Sequence, residues 1–164
     1  CSQSRGLGDV YKRQGSKKLT DKIEGYDHDI GKLVLSPTRT YAPVVKEIIS
    51  KVGVSNIDGM IHCSGGAQTK VLHFVENKHI IKDNLFNTPI IFDLIQDESK
   101  TSWKEMYQVF NMGHRLEIYT DKLSAQKIID ISASFNLEAK IIGRVEDSKS
   151  NKLSISGDKG NFEY

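Results

Sequence analysis

Apolar residues in the segment 41–52 recur three and four positions apart, and polar residues fill the positions between them. That spacing places the apolar side chains on one face and predicts an amphipathic helix. Pro43 is tolerated in a first helical turn, Thr40 is available as a cap, and Gly53 is expected to end the helix.

The next segment, Ile57–Cys63, alternates with a period of two and carries apolar residues on both faces, which predicts a central strand. In this alternation Ile57 shares a face with Cys63, and Met60 and His62 lie on the other face. The strand runs into the turn Ser64–Ala67 and a helix-like segment, Gln68–Val75. This order predicts a strand, glycine turn and helix unit.

Further helices and strands alternate along the chain. We expect a short helix around Leu19–Ile23, strands at Lys32–Leu35 and His79–Lys82, helices at Pro89–Gln96 and Ser102–Val109, a strand at Gly113–Thr120, a helix at Ala125–Phe135, and strands at Ala139–Val145 and Leu153–Ile155. This alternation predicts a layered α/β (α+β) fold, a mixed β-sheet flanked by helices. We expect residues 15–30 to be a linker with a short helix, and residues 31–164 to be one α/β domain.

The first 14 residues, CSQSRGLGDVYKRQ, show no periodic apolar face. Their GLGDVYKRQ portion is similar to a translated sequencing-library adaptor at the end of a metagenomic reading frame, so we expect residues 1–14 to be a disordered artefact. A native disordered arm is the alternative.

The chain has 23 basic and 21 acidic residues, and 38% of its 164 residues are hydrophobic. Three of the basic residues and one acidic residue lie in the segment 1–14, so the remainder holds 20 of each and is neutral. We therefore expect no nucleic-acid partner. No apolar run reaches the length of a membrane span, and we expect no membrane partner. The single internal thiol, Cys63, is typical of a core residue in a reducing compartment, and we expect the protein to be cytoplasmic.

The turn after the first strand carries the strongest local chemical signal. Gly65 and Gly66 would let a ligand approach the backbone, and the free N–H groups and dipole of the following helix favour a phosphate or carboxylate. A plain connection between a strand and a helix is the alternative. His62 could bind substrate or move a proton near neutral pH, or it could simply donate to a backbone carbonyl at the strand end. His62 and Cys63 point to opposite faces and form no dyad, and the histidine spacing supports no metal site.

Two further clusters hold polar residues that could contact a ligand. Asn111 and Gly113 connect a helix to a strand, where the asparagine amide could cap the turn or hold a ligand. Arg115 and Glu117 are expected on a solvated strand face. Arg39 precedes a helix and could bind a phosphate or pair with a surface carboxylate. Five apolar residues around Asn111 are expected in the core: Met106, Tyr107, Val109, Phe110 and Met112.

The three clusters, in this order, resemble the C-terminal half of the aminoimidazole ribonucleotide synthetase (phosphoribosylformylglycinamidine cyclo-ligase) family. That family has Pro-Thr-Arg-x-Tyr, His-x-Thr-Gly-Gly-Gly and Glu-Met-Tyr-x-x-Phe-Asn-x-Gly segments. Here they read SPTRTYAPVV, HCSGGAQTKV and KEMYQVFNMG, and KIIGRVED resembles the family's late Ile-Gly strand. The turn departs from the pattern, with Ser64 for Thr and Ala67 for the third Gly. His114 and Arg115 stand where many members have a small residue and Gly, and the match is to a divergent subgroup with FNMGHR.

The resemblance implies ATP-dependent closure of the imidazole ring of formylglycinamidine ribonucleotide in purine biosynthesis. ATP and Mg2+ would be bound mainly by an N-terminal domain of the same enzyme, which forms a homodimer. By motif match His62 would be catalytic. Ser64, Gly65 and Gly66 would bind phosphate, Asn111 and Gly113 would shape the cleft, and Arg39 would be a weaker anion contact. The resemblance places no metal ligand in this chain, and we expect the chain alone to be folded but inactive.

Two other functions stay open at this point. One is a sister activity with the same two-domain architecture, such as selenophosphate synthetase, thiamine-monophosphate kinase, the hydrogenase-maturation carbamoyl dehydratase or the related amidotransferase. The other is a non-catalytic α/β ligand-binding module.

Overall fold

The computed structural model describes residues 15–35 and 40–164. The chain divides into two units, the first ending at Ser36 and the second running from Pro37 to Tyr164. The expectation for residues 1–14 and the candidate Arg39 lie outside the described residues.

Within residues 15–35, the described part of the first unit, there is one short helix, α1 (Ile30–Val34), where the sequence predicted a strand at Lys32–Leu35. Asp29 caps this helix, because its carboxylate accepts a hydrogen bond of 2.8 Å from the Lys32 N–H. The predicted helix at Leu19–Ile23 is also wrong. Residues 19–25 form turns, and the backbone around Lys22 bridges to Asp29 instead.

Residues 40–164 of the second unit form four α-helices and six strands. In chain order they are α2 (Ala42–Val52), β1 (Ile57–His62), β2 (Lys78–Lys82), α3 (Ile90–Ser99), α4 (Trp103–Val109), β3 (Leu116–Thr120), α5 (Lys122–Ser134), β4 (Gly143–Asp147), β5 (Lys152–Gly157) and β6 (Gly160–Glu163). Two 3-10 helices, Val54–Asn56 and Ala67–His73, flank β1. The strand β6, which forms a hairpin with β5, was not predicted.

The strands form two sheets. One is an antiparallel pair of β1 and β3, and the other has the order β4-β2-β5-β6. Within the larger sheet β2 and β5 are parallel and the other neighbours are antiparallel, so this sheet is mixed. The layered α/β class with a mixed sheet is confirmed. Among the strands that the structure describes, β1 pairs only with β3, so its expected central place in a larger sheet is wrong.

Both faces of the β1–β3 pair are covered by apolar side chains. One face belongs to a core that includes Ile61, Cys63, Met106, Tyr107 and Leu153, which joins this pair to the larger sheet. The other face packs against α2 and α5 through a second core: Val44, Ile48, Val52, Ile128 and Ile131, with Ile57, Met60 and Ile118 against it. A register shift between Ile57 and Gly59 turns Ile57 toward Met60, so the predicted alternation fails at that residue.

The helix α2 begins and ends close to its predicted limits. Its cap position is Tyr41, without a side-chain hydrogen bond, so Thr40 does not cap it. Gly53, at φ 85°, ends the helix as expected.

Gly143 of β4 lies so close to the carbonyl oxygen of Ile81 that a Cβ there would overlap it. None of the helices within residues 15–35 and 40–164 is long and apolar enough to cross a membrane.

Candidate functional site

The glycine turn follows directly from the end of β1. The carbonyl oxygen of Ser64 accepts a hydrogen bond of 2.9 Å from the Ala67 N–H, which closes a four-residue turn. Gly66 occupies the third position with φ 81° and ψ −8°, the left-handed conformation that a type II turn requires. Ala67 also has a positive φ, of 42°, and its side chain is buried. The turn therefore needs glycine at position 66 and carries a strained residue after it.

The turn presents backbone donors and a cation. Within the described residues, the N–H groups of Gly65 and Gly66 donate to no backbone carbonyl. A Cβ built on Gly65 would meet nothing within 4 Å, so this residue faces open space. The ammonium of Lys70 lies 2.9 Å from the Ser64 Oγ and 3.1 Å from the His62 carbonyl oxygen. Successive free N–H groups in a turn favour an anion, and a neighbouring ammonium strengthens that preference.

Lys70 was missed from the sequence. Its signal was its position four residues after Gly66, which brings a side chain back over the preceding turn of a helix. The helix itself is a 3-10 helix of seven residues, shorter than the predicted segment Gln68–Val75.

His62 has an exposed side chain. In the part of the chain that the structure describes, its imidazole has no hydrogen-bond partner, while its carbonyl oxygen accepts from Ser64 and Lys70. The alternative in which a backbone carbonyl holds the ring is not seen. The ring is therefore available to a ligand beside the turn.

Asn111 closes the second predicted cluster as a turn residue. Its Oδ1 accepts a hydrogen bond of 2.9 Å from the Gly113 N–H, and Gly113 has φ 96°. Its carbonyl oxygen accepts from the side-chain amide of Gln68 at 2.8 Å, which links this loop to the helix after the glycine turn. The two clusters are therefore joined through Gln68, and the Asn111 side chain serves its own loop.

The residues that follow Asn111 point mostly into the protein. His114 is buried, and its Nε2 accepts from the Phe86 N–H at 3.2 Å. Burial lowers the pKa of His114 from 6.5 to about 4, so the ring is neutral at pH 7. Arg115 is half-buried. The expected solvated face is wrong for Glu117, which is buried and pairs with Lys82 at 2.6 Å.

Cys63 is a buried free thiol, as the sequence predicted. Burial, followed by the nearby Glu117 carboxylate, raises its pKa to about 12. The thiol is therefore protonated at pH 7 and is not a nucleophile. Within residues 15–35 and 40–164, no group of three or more His, Cys, Asp or Glu side chains could hold a metal ion.

Four of the five apolar residues around Asn111 belong to the first core or pack against it. Met106, Tyr107 and Met112 are almost fully buried, and Phe110 packs against the same core. Val109 is 54% exposed, so its predicted core position is wrong.

The chain matches a known protein family over most of its length. Residues 5–156 match the family described as "AIR synthase related protein, C-terminal domain". The phosphoribosylformylglycinamidine cyclo-ligase of Methanocaldococcus jannaschii is 32% identical over 141 residues, which cover 86% of this chain and 39% of the relative. The proteins of the same name from Syntrophus aciditrophicus and Methanococcus maripaludis strain C5 are 31% and 36% identical, over 84% and 70% of this chain and 40% and 32% of theirs. The chain thus spans about a third to two fifths of the length of these relatives.

Proposed function

Because this chain belongs to the AIR synthase related family and matches its C-terminal domain, we propose that it is the C-terminal part of a phosphoribosylformylglycinamidine cyclo-ligase. The reaction is ATP-dependent ring closure of formylglycinamidine ribonucleotide to aminoimidazole ribonucleotide. ATP converts the formyl amide oxygen into a phosphate ester, the amidine nitrogen attacks, and phosphate leaves. The names of the relatives favour this activity over the sister enzymes and over a non-catalytic module.

One observation supports a place for this chain in substrate binding: the free Gly65 and Gly66 N–H groups lie in the turn that Lys70 covers. A ribonucleotide carries a phosphate, which accepts such donors. Lys70 gives up its bonds to the His62 carbonyl and Ser64 Oγ and turns to the phosphate. We assign Lys70 to the site together with the predicted residues Ser64, Gly65 and Gly66.

His62 is the residue of this chain that moves a proton. Its imidazole is exposed beside the turn, and a ring nitrogen can accept a proton from a bound substrate. We propose that it accepts the proton that the amidine nitrogen must lose after it attacks. Gly113 and the Asn111 amide shape the cleft around the bound substrate, and Arg39 remains a weaker anion contact.

ATP and magnesium belong to the rest of the enzyme in this proposal. The described residues include no group of three or more His, Cys, Asp or Glu side chains that could hold Mg2+. The N-terminal domain of the same enzyme, in a cytoplasmic homodimer, supplies the nucleotide site. We also propose that residues 15–30 are a linker and that residues 31–164 are the C-terminal domain.

A chimera tests the function. The 164-residue chain replaces the matching C-terminal region of the Methanocaldococcus jannaschii enzyme, and formation of aminoimidazole ribonucleotide is measured with ATP and without it. We expect the chimera to be active and the chain alone to be inactive. Cyclisation by the chain alone, or a folded chimera that binds ATP and does not cyclise, would refute the proposal.

Two variants of the chimera test the site. In Lys70→Met, loss of one charge-assisted bond raises the KM for formylglycinamidine ribonucleotide by about 10- to 100-fold. Lys122→Met, at an exposed lysine in the first turn of α5, is the matched control and leaves this KM unchanged. Equal KM values in the two variants would remove Lys70 from the site.

A further inference from the structure

A buried ion pair lies behind the glycine turn. Lys82, the last residue of β2, places its ammonium 2.6 Å from the Oε1 of Glu117 on β3. The two side chains are only 2% and 5% exposed. The pair therefore joins the two sheets, because β2 belongs to the four-stranded sheet and β3 to the two-stranded one.

Every polar group around this pair has a partner. The Lys82 ammonium also donates to the backbone oxygen of Gln68 at 3.0 Å and to its Oε1 at 2.9 Å. The second carboxylate oxygen of Glu117 accepts from the Tyr119 hydroxyl at 2.8 Å. The side-chain nitrogen of Gln68 donates to the carbonyl oxygen of Asn111 at 2.8 Å. Lys82, Glu117, Tyr119 and Gln68 thus form a closed network, and Gln68 connects it to the Asn111 loop.

Gln68 stands two residues after Gly66 and directly after Ala67. A non-glycine residue at positive φ persists only where its surroundings hold it there, and Ala67 is such a residue. Three of the network's hydrogen bonds end on Gln68, so this residue is held at its backbone and at both ends of its side-chain amide.

We propose that Gln68 is a positioning residue: held by the buried pair of Lys82 and Glu117, its side chain sets the glycine turn against the Asn111 loop. The functional meaning of this position rests on the proposed function, since the turn is the proposed phosphate site. The positioning itself is a property of the chain without ligand. Stability alone does not require these charges, because well-packed apolar side chains of similar size commonly replace a buried ion pair without loss.

Amide hydrogen exchange in the 15N-labelled 164-residue chain, without any ligand, tests the proposal. One variant, Gln68→Met, removes the side-chain connection and keeps the ion pair. The other, Lys82→Met with Glu117→Met and Tyr119→Phe, replaces the network by apolar groups. The reporters are the N–H groups of Ala67 and Thr69, each hydrogen-bonded within the turn region.

We expect both reporters to exchange at least tenfold faster in each variant, while amides of α5 change by less than twofold. Ile48→Val is the matched control, because Ile48 is buried in the second core and its truncation weakens the fold away from the network. In this variant the Ala67 and Thr69 amides should not be accelerated more than the amides of α5, against which Ile48 packs. Parent-like exchange of Ala67 and Thr69 in folded Gln68→Met would overturn the proposal, even if the triple variant does not fold.

The KM values of the chimera distinguish a positioning role of Gln68 from a purely structural one. Gln68→Met should raise the KM for formylglycinamidine ribonucleotide at least fivefold and leave the KM for ATP within twofold of its parent value. A simple loss of folded enzyme would change neither KM, and equal changes in both would count against positioning. An inactive parent chimera would refute the cyclo-ligase function, while the exchange result would still decide the positioning.

Discussion

Substitution of Lys82 by methionine should be among the most destabilising single changes in the chain. Methionine fills similar space, so the main loss is the cation. The Glu117 carboxylate, 5% exposed, would lose its cation and keep neutral partners such as the Tyr119 hydroxyl. Breaking one side of a buried ion pair costs about 3–5 kcal/mol, a large part of the total stability of a domain.

Unfolding in urea measures this loss. The single tryptophan, Trp103, packs against the first core and reports unfolding by its fluorescence. A loss of 3–5 kcal/mol corresponds to a fall in Tm of about 6–20 °C for a domain of this size. A loss below about 1 kcal/mol would show that the Lys82 ammonium does not form a buried ion pair with Glu117.

The double variant Lys82→Met, Glu117→Met provides the internal control. Removing both charges leaves no unpaired ion, so its stability should return to within about 2 kcal/mol of the parent. If the double variant were as unstable as the sum of the two single variants, the pair would not be coupled and the reasoning would fail.

Three further predictions test other parts of the structure. Gly143→Ala should prevent soluble expression or lower Tm sharply, because its Cβ would overlap the backbone of the adjoining strand, whereas Gly59→Ala, with open space around it, should fold normally. The free energy of unfolding of the parent should fall by about 3 kcal/mol as pH falls from 6.5 toward 4. The reason is that His114 binds a proton at its ordinary pKa of about 6.5 when unfolded, but its pKa is about 4 when folded. Urea titrations at pH 7.5 and 4.5 should show this loss in the parent and in His73→Gln, at an exposed histidine, but not in His114→Gln. Ala67→Gly should change the free energy of unfolding by less than about 1 kcal/mol, since relief of the positive φ offsets the added flexibility, while Ala67→Val should lose more than about 2 kcal/mol in the same assay.

The helices with a clear period were the easiest part of the fold to predict. The apolar spacing of α2 and α5 defined the faces that pack together, and Gly53 ended α2 as expected. Short elements were harder, because five residues carry too little pattern to separate a helix from a strand. In α1 the N-terminal cap provided by Asp29 favours the helix.

The hairpin of β5 and β6 has a signal in the sequence. Two residues, Asp158 and Lys159, separate Gly157 from Gly160, and short glycine-flanked loops of this kind connect antiparallel strands. The glycine turn itself was predicted from its residues alone. Lys70 was not, because its contact depends on a side chain that folds back along a helix whose type and length the sequence left open.

The buried pair of Lys82 and Glu117 shows where pattern reasoning reaches its limit. Arg115 and Glu117, two residues apart in the sequence, were expected on one face of the predicted strand Gly113–Thr120, and a charged face is usually solvated. That inference assumes that one face of the sheet is free. Here both faces are covered, so the polar face needed partners from elsewhere, and its cation lies 35 residues away on another sheet. A strand with charged residues on one face and apolar residues on the other is therefore solvated only if nothing packs on the charged face, which is a property of the tertiary fold.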